Sequence, residues 1–594
     1  MDNYYFSTKY EDSLTPAEKK LKGIYYTPKI IVNYILEETL LKHNILENPE
    51  PRILDISCGC GNFLVEAFDI LYKKISENIE DINELYGENY IKNICKHIIE
   101  KCIYGVDIDR EAINILKKTL IEKMRYYENE ECEVSTINMN ISCEDGLKKN
   151  YKFKFDYIVG NPPYVGHKNL DKEYKKYLLK EYDEVYKDKS DIYFCFYKKA
   201  SDLIKEGGKI GFITPRYFME SPSGQNLRRY LFNNCRIHKI VDLRNTNVFK
   251  NIGICSAIIF YSKDNKQKEN YIKVYRNKVN KISTANNESL KKIIKSSKFE
   301  SISIKQVNLS DKWIILNDDE KNFYNKIEER CEFTLKDIVV NFQGIISGCD
   351  KAFVLNKNDD RIEHIPKGLL KVWIKNKNVS SYVIEESDYK IIYSNDIKNI
   401  DNYKYIEESC FMPYKDKLMN RREVKKNIRK WYELQWGREK SLFERRKIMY
   451  PYKSNKNRFA IDYNNSYASA DVYSFYIQEK YNKEISLEYL LGLLNNPIYD
   501  RYFKLTAKDM GNNIYDYYPN KVLKIKIFKD ENYDEIEALS KEIIQNKLSI
   551  FKLIKYKNLQ DKEIAFNKEI YYLENESHFL ENRISKLIKK SLNL

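Results

Sequence analysis

The stretch that decides the fold is 51–68, PRILDISCGCGNFLVEAF. It reads as a strand (Arg52 to Ile56), a glycine-containing turn (Ser57 to Gly61) and the start of an amphipathic helix. Gly59 and Gly61 let the backbone pass close to a ligand at the carboxyl end of the strand. The third glycine of a nicotinamide G-x-G-x-x-G is missing, and no Gly-Lys-Ser/Thr follows as in a P-loop. Further on, 102–118, CIYGVDIDREAINILKK, is another strand running into a helix, with Asp107 at the strand end. An acid there usually holds ribose hydroxyls, although its distance from the glycine turn exceeds the usual ~20 residues. The intervening stretch, Asp69 to Lys101, reads as an extended helix or helical insertion. A third acidic strand end follows in 141–149, ISCEDGLKK, at Asp145 and Gly146.

A fourth strand closes the set at 155–166, FDYIVGNPPYVG. Its apolar run stops at Asn161-Pro162-Pro163-Tyr164, because proline offers no N–H to a ladder and fixes its own φ. The loop presents one side-chain amide, the carbonyls of Asn161 and Pro162, and the aromatic Tyr164, all held stiffly. That set suits a flat ligand with an exocyclic amino group: oxygens accept its two N–H groups while the ring stacks. A rigid turn with no chemistry is the competing reading of the same letters.

Taken together, these segments resemble the S-adenosylmethionine-dependent amino-methyltransferases, and within them the DNA adenine-N6 methyltransferases. Further segments carry the likeness: 23–36, GIYYTPKIIVNYIL; 189–218, KSDIYFCFYKKASDLIKEGGKIGFITPRYF; and 247–260, NVFKNIGICSAIIF. The order of the blocks, with a recognition region after them, is that of the gamma arrangement. In the second half, 342–355, FQGIISGCDKAFVL, resembles the opening of a target-recognition domain, and 430–475 resembles its continuation. The likeness extends over nearly the whole chain to orphan clostridial members of the family. The resemblance implies an α/β fold: a Rossmann-like methyltransferase sheet with helices on both faces, then a mixed α+β target-recognition domain. The expected boundaries are 1–300 for the methyltransferase domain, 301–334 for a connector and 335–594 for the recognition domain with C-terminal helices.

The same resemblance implies S-adenosyl-L-methionine as cofactor. Asp55 and the turn residues Ser57, Cys58, Gly59 and Gly61 would hold its methionine part. Asp107 would bind the ribose, beside Ile108, and Asp145 the adenine amino group, beside Gly146 and Pro163. Tyr26, Thr27 and Pro28 match an N-terminal cofactor motif. Asn161, Pro162, Pro163 and Tyr164 form the catalytic loop, and Phe249 with Tyr164 would sandwich a flipped-out adenine. The implied target is an A-rich asymmetric site, CAAAAA with the last adenine modified. Ser57-Cys58 follows Ile56 where many relatives have proline, a departure that removes no ligand group.

Composition fits a polyanionic partner, here double-stranded DNA. The net charge is +15 over 594 residues. An AT-rich coding sequence also produces Lys, Asn, Ile and 51 tyrosines, so clustering says more than composition. The stretch 421–447, RREVKKNIRKWYELQWGREKSLFERRK, sets Arg421, Arg422, Lys425, Lys426, Arg429, Lys430 and Arg438 beside Trp431, Tyr432 and Trp436. Basic groups fix phosphates and aromatics offer stacking or wedge surfaces. Arg421, Arg422, Lys430, Trp436, Arg438 and Lys453 are the candidate DNA contacts; the bland alternative is a solvated helix face. The segments 263–270 and 287–301 read as an edge turn and a connecting helix, and about 532–594 as charged amphipathic helices.

No apolar run reaches the ~18 residues of a membrane span. The N-terminus lacks a signal pattern. The twelve cysteines form no paired C-x-x-C set and read as reduced thiols, with no metal site. The expectation is a cytoplasmic monomer with no obligate protein partner. Three other readings share some of these features. A protein glutamine methyltransferase would also use Asn-Pro-Pro-Tyr, but needs no basic recognition half. A restriction–modification fusion needs a nuclease, and the cofactor motif beginning near Gly23 leaves no room for one ahead of it. A non-catalytic DNA-binding subunit needs neither the intact loop nor the acids.

Overall fold

The computed structural model describes residues 5–15, 18–19, 27–128, 137–187, 189–244, 255–264, 270–279, 289–309, 312–511, 513–557 and 563–594. The chain divides into two compact units, Met1–Asn317 and Asp318–Leu594.

The first unit is built on a nine-stranded sheet. Its strands are β1 (Ile53–Asp55), β2 (Ile103–Asp107), β3 (Asn140–Cys143), β4 (Phe155–Gly160), β5 (Ile204–Pro215), β6 (Cys235–Asp242), β7 (Ser256–Lys263), β8 (Tyr271–Asn277) and β9 (Phe299–Lys305). The spatial order is β3-β2-β1-β4-β5-β7-β6-β8-β9. The pairs from β3 through β5 are parallel, and β7 runs antiparallel to both β5 and β6. Parallel strands covered on both faces need continuous apolar runs, and β1 is buried at every residue. The helix Asn62–Glu77 turns Phe63, Leu64, Ala67, Phe68, Leu71 and Ile75 into the core, the 3.6-residue stripe of a covering helix. β1 connects to β2 on one side and lies against β4 on the other, so the strand order reverses there. Such a reversal opens a crevice at the carboxyl ends of the strands.

The expected connector at 301–334 does not exist as a separate segment. Residues 299–305 pair in register along all of β8 as the last strand of the first sheet. The stretch 287–301, expected to be a connecting helix, supplies only the short helix Leu290–Lys295 before it. The helix Asp318–Arg330 already belongs to the second unit, where Ile327 is fully buried.

The second unit is mixed α+β. A five-stranded sheet runs Val339–Gln343, Val472–Ile477, Lys447–Pro451, Ala460–Asp462, Tyr382–Val383, and a four-stranded sheet runs Val354–Asn356, Tyr389–Ile392, Leu370–Ile374, Tyr467–Ala468. The C-terminal helices Tyr533–Lys557 and Glu563–Leu592 pack through Ile536, Ile543, Ile584 and Ile588 onto a core shared with Tyr489, Leu490 and Leu493. Among the described residues no helix is long and apolar enough to cross a membrane, no disulfide forms, and no His/Cys/Asp/Glu group could hold a metal.

Candidate active site

The crevice is a pocket at the carboxyl ends of β1 to β4. Thr27, Asp55, Ser57, Cys58, Gly59, Asp107, Ile108, Asp145, Gly146, Asn161 and Pro163 all line it. Pro28, Gly61, Pro162 and Tyr164 adjoin these lining residues along the chain. Tyr26 and Phe249 lie outside the described residues.

The turn after β1 is shaped by its own hydrogen bonds. Asp55 Oδ1 accepts the Ser57 N–H at 3.0 Å, and the Cys58 N–H donates to the Val106 carbonyl at 2.9 Å. Gly59 and Gly61 take φ of 51° and 85°, the left-handed region that glycine enters freely. The Gly59 N–H then donates to Asp107 Oδ2 at 2.8 Å, while Asp107 Oδ1 accepts the Asp109 N–H at 2.8 Å. Asp145 Oδ1 accepts the Leu147 N–H at 3.0 Å. Burial, with Asp107 nearby, pushes the Asp55 carboxyl up to about 8; burial also raises Asp107. Two acids held above their ordinary range in one pocket mark a site built for a cationic or hydrogen-bond-donating ligand.

Glycine at 160 serves closeness rather than flexibility. A Cβ there would stand 2.7 Å from Asp55 Oδ1, so the end of β4 runs against that carboxylate. The next residue is Asn161, which therefore enters the same pocket. Its Oδ1 accepts the Tyr164 hydroxyl at 2.6 Å. The Tyr164 ring is only 8% exposed and meets Tyr193 edge-on at 6.2 Å. The ring that sequence analysis assigned to stacking is thus mostly buried in this conformation, with its hydroxyl tied to Asn161.

Several lining residues escaped the sequence reading. Asn62 Nδ2 donates to the Thr27 carbonyl at 3.3 Å, which fixes the amide and turns Oδ1 away. That Oδ1 is buried with no partner among the described residues. Asn62 opens the helix Asn62–Glu77, whose N-cap, Gly61, has no side chain to cap its first N–H groups. Ile56, Cys60, Phe63, Asp109, Ala112, Tyr174, Ile192 and Phe196 complete the lining. Asp109 Oδ2 accepts the Tyr10 hydroxyl at 2.9 Å, which ties the helix Tyr5–Ser13 to the pocket rim. Asp109 and Asn62 stand next to residues already singled out, but Tyr174 and Phe196 come from later helices and no local signal marks them.

In the second unit the basic cluster splits. Arg422 and Lys430 are exposed. Lys430 Nζ donates to the Lys398 carbonyl at 2.7 Å. Arg438 and Trp436 are half-buried; Arg438 takes a φ of 61° and donates to Gln343 Oε1 at 3.2 Å. Trp436 pairs its backbone with Ile346. Lys453 lies over the Tyr452 ring at 4.9 Å on a half-buried strand. Arg421 departs from expectation. It is buried, and its guanidinium donates to the carbonyls of Leu418, Ser347, Trp431 and Glu433 at 2.7–3.1 Å. It is an internal strut of the unit and is removed from the set of candidate phosphate contacts.

Comparison with known proteins gives this geometry a setting. Residues 101–249 match the Eco57I restriction-modification methylase family, and residues 372–527 match the TaqI-like C-terminal specificity domain. The chain is 25% identical over 539 residues to the type II methyltransferase M.BanIII of Aneurinibacillus aneurinilyticus, covering 84% of this chain and 87% of that one. It is 25% identical over 471 residues to M.BstVI of Geobacillus stearothermophilus, covering 76% and 80%. It is 29% identical over 383 residues to M.HincII of Haemophilus influenzae, covering 61% and 71%. Among solved structures, the type IIL restriction-modification enzyme MmeI in complex with DNA shares the fold, with a TM-score of 0.66 at 14% identity over 99% of this chain and 78% of that one. With an Eco57I-type methylase segment followed by a TaqI-like specificity segment, the chain is similar in both halves to proteins named type II DNA methyltransferases.

Proposed function

We propose that this chain is a site-specific DNA methyltransferase that places a methyl group on N6 of an adenine flipped out of duplex DNA. It acts as an orphan modification enzyme of the clostridial type, at an A-rich asymmetric site, CAAAAA with the last adenine modified. The observation that carries the reading is the convergence of Asn161 with Asp55, Asp107 and Asp145 on one pocket at the ends of four parallel strands. The pocket fits S-adenosylmethionine by its own groups. It offers carboxylates for a cation and for hydroxyls, a buried amide oxygen with no donor among the described residues, and an uncapped helix N-terminus suited to a carboxylate. When bound, that cofactor supplies an electrophilic methyl group.

The chain's own residues do the rest. An adenine amino nitrogen is a poor nucleophile because its lone pair is delocalised into the ring. Accepting its two hydrogens, at Asn161 Oδ1 and the Pro162 carbonyl, favours a pyramidal nitrogen and frees the pair. An amide oxygen has two lone pairs, so Asn161 can hold the Tyr164 hydroxyl and an adenine N–H together. Asn161 orients and stabilises developing positive charge; an amide is no general base. The duplex hides this nitrogen, so the base must leave the stack. Double-stranded DNA is thus the proposed partner, read by a monomer through the second unit.

The test is chemical. Incubating the purified chain with S-adenosylmethionine and a CAAAAA duplex should yield N6-methyladenine by nucleoside mass spectrometry, and sequencing host DNA should place it at the last adenine. Methylated cytosine, or transfer to a glutamine side chain instead, would overturn the assignment.

Cofactor binding should depend on pH, with a sign set by Asp55. Its carboxyl sits up at about 8 in the free pocket, because ionising it there is costly. A cationic ligand favours the ionised form. Below pH 8, binding therefore requires loss of a proton, and affinity should rise with pH toward 8 and then level off, by at most about tenfold per unit. Calorimetry in buffers of different ionisation enthalpy should detect the released proton. Affinity that is flat from pH 6.5 to 8.5 would show that Asp55 stays in one state.

A further inference from the structure

Next to the candidate catalytic loop lies a buried carboxylate that the proposed chemistry does not use. Asp191 is 8% exposed and stands just before the helix Tyr193–Leu203. Gly166, two residues past Tyr164, forms an antiparallel bridge with it, and the Ile192 N–H donates to the Val165 carbonyl at 3.1 Å. Asp191 Oδ2 accepts the Tyr217 hydroxyl at 2.8 Å, and Oδ1 accepts the Tyr193 N–H at 3.4 Å. The backbone N–H groups of Val165 and Ile192 also support the charged form. One carboxylate therefore joins three pieces of chain: the end of the loop, the start of a helix and the turn Arg216–Met219 after β5.

We infer that Asp191, with Tyr217 as its partner, is the positioning residue of the catalytic loop, holding the backbone behind Tyr164 so that Asn161 keeps its aim. The inference rests on the methyl-transfer reading. Its device is independent of that reading, because the clamp can be seen without turnover. Among the described residues, the groups that bear on the carboxylate are neutral donors or a thiol: Tyr217 from the turn, Tyr193 and Cys195 from the helix, and the N–H groups of Val165 and Ile192. With neutral neighbours, burial dominates, and the Asp191 carboxyl is raised to about 6. Protonation near that pH removes acceptor capacity from the clamp and loosens the loop. The Tyr217 hydroxyl stabilises the ionised form, so its removal must raise the Asp191 pKa further.

Two readouts test this. In hydrogen exchange, corrected for intrinsic rates, the peptide spanning 160–168 should be protected at pH 7.5 and lose protection as pH falls through about 6. In Tyr217→Phe the loss should begin at higher pH. In Asp191→Asn protection should be low at both ends. In turnover, kcat should show an acid limb at the same pH, displaced upward in Tyr217→Phe and absent in Asp191→Asn. Asp191→Asn should lower kcat on the order of 10- to 100-fold with KM for cofactor unchanged. A limb that stays in place in Tyr217→Phe, or unaltered loop protection in Asp191→Asn, overturns the inference. Should Asp191→Asn fail to fold, the direction of the Tyr217→Phe displacement alone decides. Exchange that follows the expected pattern in a protein that methylates no DNA would sink the functional reading and leave the clamp standing.

Discussion

Replacing Asn161 with alanine is expected to lower kcat for methyl transfer by on the order of 10²–10³, the usual cost of removing one preorganised charge-stabilising group. Affinity for S-adenosylmethionine and for DNA should stay within about twofold. The reason lies in what the amide touches. Its Oδ1 is held by the Tyr164 hydroxyl at 2.6 Å, and its backbone follows Gly160, which is pressed against Asp55. Truncation leaves that backbone path in place, so the cofactor acids keep their positions. On the proposed reading, the acceptor aimed at the reacting nitrogen disappears, and with it an interaction that gains strength only as charge develops there. Tyr164→Phe separates the two roles of the loop. It removes the hydroxyl that fixes the amide but keeps the ring, and should cost far less than the Asn161 change. Single-turnover rates on a specific duplex, alongside equilibrium binding of each ligand, check both. An Asn161→Ala protein turning over near the wild-type rate would place the chemistry elsewhere.

Much of the pocket was legible because its residues sit where periodicity changes. Asp55 and Asp107 each come after a short apolar run, and a polar residue at the end of a buried parallel strand has few places to go except the crevice; Asp145 follows the half-exposed strand Asn140–Cys143 and stood out through the family resemblance instead. Asn161 was legible because two prolines end its strand and stiffen the loop. Tyr174 and Phe196 were not, because they approach from helices whose packing is a tertiary matter. Tyr164 was half legible: its aromatic character was plain, but that its ring would turn toward Tyr193 depends on a neighbour supplied by a later helix. The missing connector has the same cause. Residues 299–305 carry a strand's alternation, but they form the edge strand paired only with β8, and nothing in the local pattern names that partner. The basic stretch at 421–447 shows the opposite error. Clustering of charge along the chain says nothing about which guanidinium faces inward.

Arg421 makes that last point measurable. Its four N–H···O bonds reach carbonyls of Leu418, Ser347, Trp431 and Glu433, which come from three stretches of the second unit. Gly348 supplies the space: with φ of 78° it lies so close that a Cβ would stand 2.8 Å from Arg421 Cδ. Burial alone disfavours the charge and pulls the Arg421 pKa downward, yet a guanidinium is in practice always protonated. The arrangement is stable because every buried charge-bearing edge has an acceptor. Arg421→Leu fills similar space but strands the Trp431 and Glu433 carbonyls, each worth roughly 1–3 kcal/mol when left unpaired, while the Leu418 and Ser347 carbonyls keep the backbone N–H groups of Arg421 and Gln435. Allowing for relaxation, the second unit should lose about 3–5 kcal/mol, as when one partner of a buried charged network is removed. Thermal unfolding of the full chain, with limited proteolysis to locate the weakened unit, reads this directly. The exposed neighbours should behave in the opposite way. Reversing Arg422, Lys425 and Lys426 together to glutamate should leave stability within about 0.5 kcal/mol of wild type. If they meet phosphates, the same change should flatten the salt dependence of DNA binding by roughly 0.9 for each phosphate no longer neutralised, for specific and scrambled duplexes alike. An Arg421→Leu protein as stable as wild type but weakened for DNA would return that residue to the DNA-facing surface, and a triple reversal with an unaltered salt slope would move that surface away from this stretch.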